Sequence, residues 1–129
     1  MIKKILIAYD EGKVANKALD TAIDLAKAAS GEIYIVSACL SDDSPQRRIY
    51  LEKLQSEAAE KAANEGITFY KKIEAGKGFG EVIKKVAEEL KVDIVVIGSH
   101  NKGAVARFML GSVSNYVLYN VGCPVLIVK

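Results

Sequence analysis

Residues 79–98 read FGEVIKKVAEELKVDIVVIG. Phe79, Val82, Ile83, Val86, Ala87 and Leu90 recur at three- and four-residue steps, which predicts a helix with one apolar face. Val92–Ile97 (VDIVVI) follows at once and ends at Gly98. A short, mostly apolar run bounded by a turn residue predicts a central strand buried on both faces. A helix that leads straight into such a strand is the repeating step of a parallel sheet, because parallel neighbours need a crossover helix between them.

The same step recurs on either side. Upstream, Lys3–Tyr9 (KKILIAY) reads as a first buried strand that stops at Asp10-Glu11-Gly12. From Lys13 the period changes, and Ala15, Ala18, Leu19, Ala22, Ala26 and Ala29 mark the inner face of an alanine-rich helix. Ser30-Gly31 is its expected stop, with the glycine taking the left-handed conformation past the helix end. Glu32–Leu40 (EIYIVSACL) is the second strand. Ser41–Pro45 makes a turn and opens a helix whose stripe is Leu51, Leu54, Ala58 and Ala62, closed by Asn64-Glu65-Gly66. Ile67–Ala75 alternates loosely and puts Lys71 in the inward register, which predicts an edge strand. Downstream, a last helix starts near Ser112, ends at Gly122-Cys123-Pro124, and gives way to the strand Val125–Val128. The expected fold class is α/β: an open five-stranded parallel sheet with helices on both faces, Rossmann-like, in one domain over 1–129.

Composition supports that frame. The chain has 129 residues, 50% hydrophobic and 26% charged, which is the range of a folded domain with a core of its own. No apolar run approaches the ~18 residues that a membrane-spanning helix needs. The N-terminus lacks a long apolar segment with a small-residue cleavage site, so secretion is not expected and a cytoplasmic placement is. Basic and acidic residues number 18 and 16 and are intermixed, which gives no stripe for nucleic acid. Cys39 and Cys123 are far apart, and with the single His100 they form no metal spacing. They read as small buried hydrophobes.

In an open parallel sheet, ligands bind beyond the carboxyl ends of the strands, where the strand order reverses. Two turns are candidates: the one after the first strand at Asp10, and the one after the fourth at Gly98. The second opens the segment 98–114, GSHNKGAVARFMLGSVS. Gly98 and Gly103 allow tight turns and close approach to a ligand. Gly111-Ser112 stands where a helix begins, so Ser112 can cap it and its outward N–H groups can meet an anion. His100, Lys102 and Arg107 add donors or positive charge nearby, and phosphate is the natural ligand class. The Walker pattern G-x-x-x-x-G-K-[ST] is absent. Gly76-Lys77-Gly78-Phe79-Gly80 lacks dinucleotide spacing and reads as a helix entry.

Three stretches carry a resemblance. KKILIAYD at the start is similar to the ILVAVD opening of universal stress proteins, and LGSVSNYVLYNVGCPVLIVK at the end to their LGSVAEKVLRHAPCPVLVV. The nucleotide-binding branch of that family carries G-x-x-G-x9-G-[ST]; Gly98 and Gly111-Ser112 match it, while Asn101 stands at the second glycine. Asn is the non-glycine residue best suited to positive φ. The chain thus resembles a small, single-domain universal stress protein over essentially its whole length. That resemblance implies the strand order 3-2-1-4-5 and an adenine nucleotide, ATP or a relative with or without Mg2+, across the ends of strands one and four. It implies Ala8, Tyr9 and Ala38 at the adenine, with Tyr9 larger than the usual residue there, and Asp10 at the ribose or phosphate side. Gly98, His100 and Asn101 would wrap ribose and phosphates, and Gly111, Ser112, Val113 and Ser114 would bind phosphates. A regulatory role with at most slow hydrolysis is the expected function, since no catalytic constellation stands out.

A homodimer is expected as well. The terminal run Val125–Val128 would leave an apolar edge with unpaired main-chain groups, and pairing with a second copy covers it. Alternatives remain: an interaction module of the same family that dimerises without nucleotide, to which Asn101 and Tyr9 point, and a flavodoxin-shaped redox or phosphoryl-transfer protein, which lacks the loop after strand one that it would need.

Overall fold

The computed structural model describes residues 1–10, 13–99 and 111–129. Among these described residues, five strands and four helices alternate: β1 Lys4–Ala8, α1 Lys13–Ala29, β2 Glu32–Leu40, α2 Pro45–Asn64, β3 Phe69–Gly76, α3 Phe79–Leu90, β4 Ile94–Gly98, α4 Ser112–Asn120 and β5 Val125–Val128. All strand pairs are parallel, in the order β3-β2-β1-β4-β5. The fold class and strand order expected from the sequence are those observed.

Successive side chains of a strand leave on opposite faces, and β1 needs apolar residues on both. Ile5 and Ile7, with Ile33 and Ile35 of β2 and Val96 of β4, pack under α1 and α2. Leu6 and Ala8, with Val36, Val95 and Ile97, pack under α3 and α4 against Val82, Ile83, Val86 and Val117. The α3 stripe read from the sequence lies where expected, with Phe79 and Leu90 half-buried at its ends. Burying isoleucine- and leucine-sized side chains contributes about 1.5–3 kcal/mol each, so this central ladder is the main source of stability.

β3 is an edge, as its weak alternation predicts. Lys71 turns to the α2 side, where its amine donates to Ser56 Oγ at 3.4 Å. Tyr70 lies across the pair, stacked on Tyr34 at 4.9 Å. The Tyr34 hydroxyl donates to Glu32 at 2.7 Å, and that bond, followed by burial, pushes its pKa up to about 12. Asp93, at the opposite end of the sheet from the crevice, accepts from the main-chain N–H groups of Lys4 and Lys3, which hold its carboxyl below the usual range.

Two local expectations are corrected. The residue that takes the left-handed conformation after α1 is Ser30 (φ 54°), not Gly31. Gly31 is needed for a different reason: a Cβ there would stand 3.1 Å from the carbonyl oxygen of Lys3, where the chain enters β2 beside β1. The cysteines are free thiols and half-buried rather than buried.

Candidate functional site

The crossovers create the crevice. From β1 the chain passes through α1 to β2 on one side, and β3 returns through α3 to β4 on the other side of β1. Because α1 and α3 cover opposite faces, neither crossover runs between the carboxyl ends of β1 and β4, and among the described residues a gap opens there.

Beyond Ala8, the N–H of Tyr9 still donates to Val36 O at 2.8 Å. The Tyr9 ring is 5% exposed and belongs to the core under α1 and α2, with its hydroxyl on Asn16 Oδ1 at 3.0 Å. Burial first, then the carboxylates of Glu57, Asp10 and Asp20, raise the phenol pKa, so Tyr9 remains a neutral donor. The large side chain is thereby turned into the core beneath α1 and α2. Asp10 follows, half-buried at the strand end.

On the other side stands the start of α4. The N-cap is Gly111 (φ −65°, ψ 162°), with no side-chain cap bond, and Ser112 is the first helical residue; the expectation that Ser112 caps the helix is corrected accordingly. The first intrahelical bond runs from Asn115 N–H to Gly111 O at 2.9 Å. Helical geometry leaves the N–H groups of Ser112, Val113 and Ser114 ahead of it without intrahelical acceptors. Ser114 is 3% exposed, and its hydroxyl donates to Gly98 O at 3.3 Å, tying the first turn of α4 to the end of β4.

A cavity of about 200 Å³ lies between these two sides, lined by Ala8, Asp10, Gly98 and the run Gly111–Ser114, with Ala15, Ile97 and Phe79. A second of about 190 Å³ adjoins it, lined by Tyr9, Ala38, Leu40, Asp43, Arg47 and Leu51, again with Asp10 and Phe79. Asp10 and Phe79 therefore form the wall common to both, and the pair makes one groove across the ends of β1, β2 and β4. The positive helix end suits the anionic part of a ligand, and the Asp10 side chain can accept from hydroxyl groups on its neutral part.

The two glycines differ in kind. Among the described residues, a Cβ on Gly111 would meet no atom within 4 Å. A Cβ on Gly98 would lie 2.5 Å from Val14 Cγ1 and 3.1 Å from Val14 O. Gly98 thus answers to close packing of β4 against α1, whereas the sequence reading assigned its bare backbone to a ligand.

Of the residues singled out from sequence, Ala8, Tyr9, Asp10, Ala38, Gly98, Gly111, Ser112, Val113 and Ser114 line this groove together. His100 and Asn101, with Gly103, Lys102 and Arg107, lie outside the described residues. Phe79 and Arg47 were missed. Phe79 was read as core alone, although the turn that carries it follows β3 and so must open on the same edge as every other carboxyl-end turn of a parallel sheet. Arg47 sits in the first turn of α2 for the same reason.

The family model of the universal stress proteins matches residues 1–129. The universal stress protein YxiE of Bacillus subtilis is 31% identical, with both chains covered completely. Among solved structures, a universal stress protein in complex with cAMP superposes with a TM-score of 0.81 at 26% identity, over 99% of this chain and 97% of that one. The Archaeoglobus fulgidus universal stress protein in complex with dAMP gives 0.84 at 25% identity, with all of both chains covered. With that match over its whole length and this sheet order, the chain belongs to the universal stress protein family.

Proposed function

We propose that the protein binds an adenine nucleotide, ATP foremost, in the groove across the ends of β1 and β4, and that nucleotide occupancy rather than rapid turnover regulates a stress response in the cytoplasm. The observation that carries the reading is the start of α4, where no atom of the described residues stands against Gly111 and which lines one cavity together with Asp10. Phosphates would meet the N–H groups of Ser112, Val113 and Ser114 and the Ser112 hydroxyl. Ribose would lie near Asp10, and adenine toward Ala8, Tyr9 and Ala38. His100 and Asn101 are proposed, with Gly98, to wrap the ribose and phosphates. The cAMP and dAMP complexes of the similar proteins support an adenine ligand. Magnesium would come on the phosphates, with Asp10 the carboxylate within the phosphate-side cavity.

Calorimetric titration with ATP, ADP and AMP, each with and without magnesium, tests the reading, together with mass spectrometry of any ligand released on denaturation. No heat at millimolar ATP and no co-purifying nucleotide would overturn it. Asn101 gives a second check: Asn101→Gly is expected to preserve or slightly improve affinity, and Asn101→Val to weaken both affinity and stability, because β-branched residues disfavour positive φ. Equal behaviour of the two variants would sink the turn assignment.

We further propose a homodimer paired through β5. Leu126 on that edge is 37% exposed, and α4 adds Leu118 at 43% and Tyr119 at 80%. This apolar surface also favours the second reading, an interaction module that needs no nucleotide. Light scattering should give twice the chain mass at tens of micromolar, and Leu126→Lys should shift the protein toward monomer. A wild type that stays monomeric would refute the pairing.

A further inference from the structure

Among the described residues, three buried polar side chains line neither cavity, namely Ser99, Ser37 and Gln55, and the last two, at 1% and 2% exposed, bond to each other. In β2 the row Ile33, Ile35, Ser37 turns toward α1 and α2, and Ser37 breaks an otherwise apolar row. Its Oγ donates to the carbonyl of Tyr9 at 2.6 Å. Gln55 of α2 donates through Nε2 to Ser37 Oγ at 3.0 Å and to Lys72 O of β3 at 2.8 Å, with Ile35 O at 3.4 Å.

The directions follow from the donors available. A hydroxyl has one proton, and the Tyr9 carbonyl can only accept, so Ser37 must give its proton there and receive another. Gln55 supplies it. A flipped Gln55 amide would set its oxygen against the carbonyl oxygens of Lys72 and Ile35, so only one orientation satisfies the group. The relay thus runs Gln55 N–H to Ser37 O–H to Tyr9 C=O.

Tyr9 lies one residue past the end of β1 and is held at three points: its N–H on Val36 O, its phenol on Asn16, and its carbonyl by Ser37. The next residue is Asp10, on the wall common to both cavities. We infer that Ser37 and Gln55 are positioning residues, which lock the main chain at Tyr9 and thereby set where the Asp10 carboxylate stands in the groove. This rests on the nucleotide reading above. It adds that affinity depends on a buried pair which touches no ligand and links the groove to the β2–β3 edge.

A double-mutant cycle on the full chain tests it, with ATP as the probe. Ser37→Ala is expected to weaken ATP binding about five- to tenfold, the effect of one lost buried hydrogen bond. Ser37→Thr, which keeps the hydroxyl, should restore most of the affinity. In an Asp10→Ala background, Ser37→Ala should change affinity less than about twofold, because the group it positions is gone. Equal losses in both backgrounds, or none in either, would overturn the inference while leaving the nucleotide reading intact. If wild type binds no ATP, the nucleotide reading is what fails. Amide exchange of the ligand-free protein then decides: Ser37→Ala should speed exchange at Tyr9 and Asp10 and leave Leu6 and Ile7 unchanged. Unchanged exchange at Tyr9 and Asp10 would overturn the positioning role.

Discussion

Gly111→Val is expected to remove nucleotide binding while leaving the protein folded. A Cβ there would meet no atom of the described residues within 4 Å, and the backbone at φ −65°, ψ 162° is open to any L-residue. Replacing glycine by valine at an N-cap costs at most about 1 kcal/mol. The space the side chain fills is the one assigned to phosphates in the proposed binding mode, in front of the N–H groups of residues 112–114. Losing charge-assisted bonds of about 1.5–3 kcal/mol each weakens binding by roughly a hundredfold or more. Ser112→Ala removes one hydroxyl from the same place, and roughly a tenfold loss is expected. Since Ser112 makes no cap bond, that change should hardly move the thermal midpoint. Calorimetry on variants shown by circular dichroism to be folded is the measurement, and full affinity in Gly111→Val would exclude phosphate from the start of α4.

Gly98→Val should do the reverse, damaging stability first. Its Cβ would stand 2.5 Å from Val14 Cγ1, a side-chain tip that can move, but also 3.1 Å and 3.2 Å from the main-chain O and C of Val14, which cannot move without α1. Overpacking against main chain costs about 1–3 kcal/mol, and a branched side chain belongs at the upper end. Chemical denaturation should show that loss with an unchanged slope. Adding Val14→Ala should recover only the part due to the side-chain tip, since the main-chain contacts remain. A Gly98→Val protein as stable as wild type would mean that β4 and α1 do not approach as described.

The pair shows how one motif can hide two causes. Gly98 and Gly111 look alike as ends of a single spacing. One has a helix lying against it, and the other has no atom of the described residues against it. Spacing alone could not separate them, because the neighbour that decides Gly98 sits 84 positions earlier, in α1.

Much of the architecture was legible in order along the chain. Ile5–Ala8 and Ile94–Ile97 declare strands buried on both faces, since a run with no polar alternation has no face to give to water. The α3 stripe declares a helix with one buried side, and Gly111-Ser112 marks the start of α4 within a residue. Lys71 identifies the edge. These are properties of single elements, and each element records its own burial in its own period.

What tertiary structure alone decided are the meetings between elements. Phe79 looked like core because its helix stripe begins there, yet the β3–α3 turn delivers it to the groove wall. Tyr9 looked like a side chain that would crowd the groove, yet its ring packs under α1 and α2 with its hydroxyl on Asn16. Ser37 and Gln55 carry no local signal of their shared role, being a serine in a strand and a glutamine in a helix. Helical and strand periods report which side of an element is covered. They do not report what covers it, because crossovers bring together positions tens of residues apart, and the partner at each buried position is set by the packing of the whole sheet.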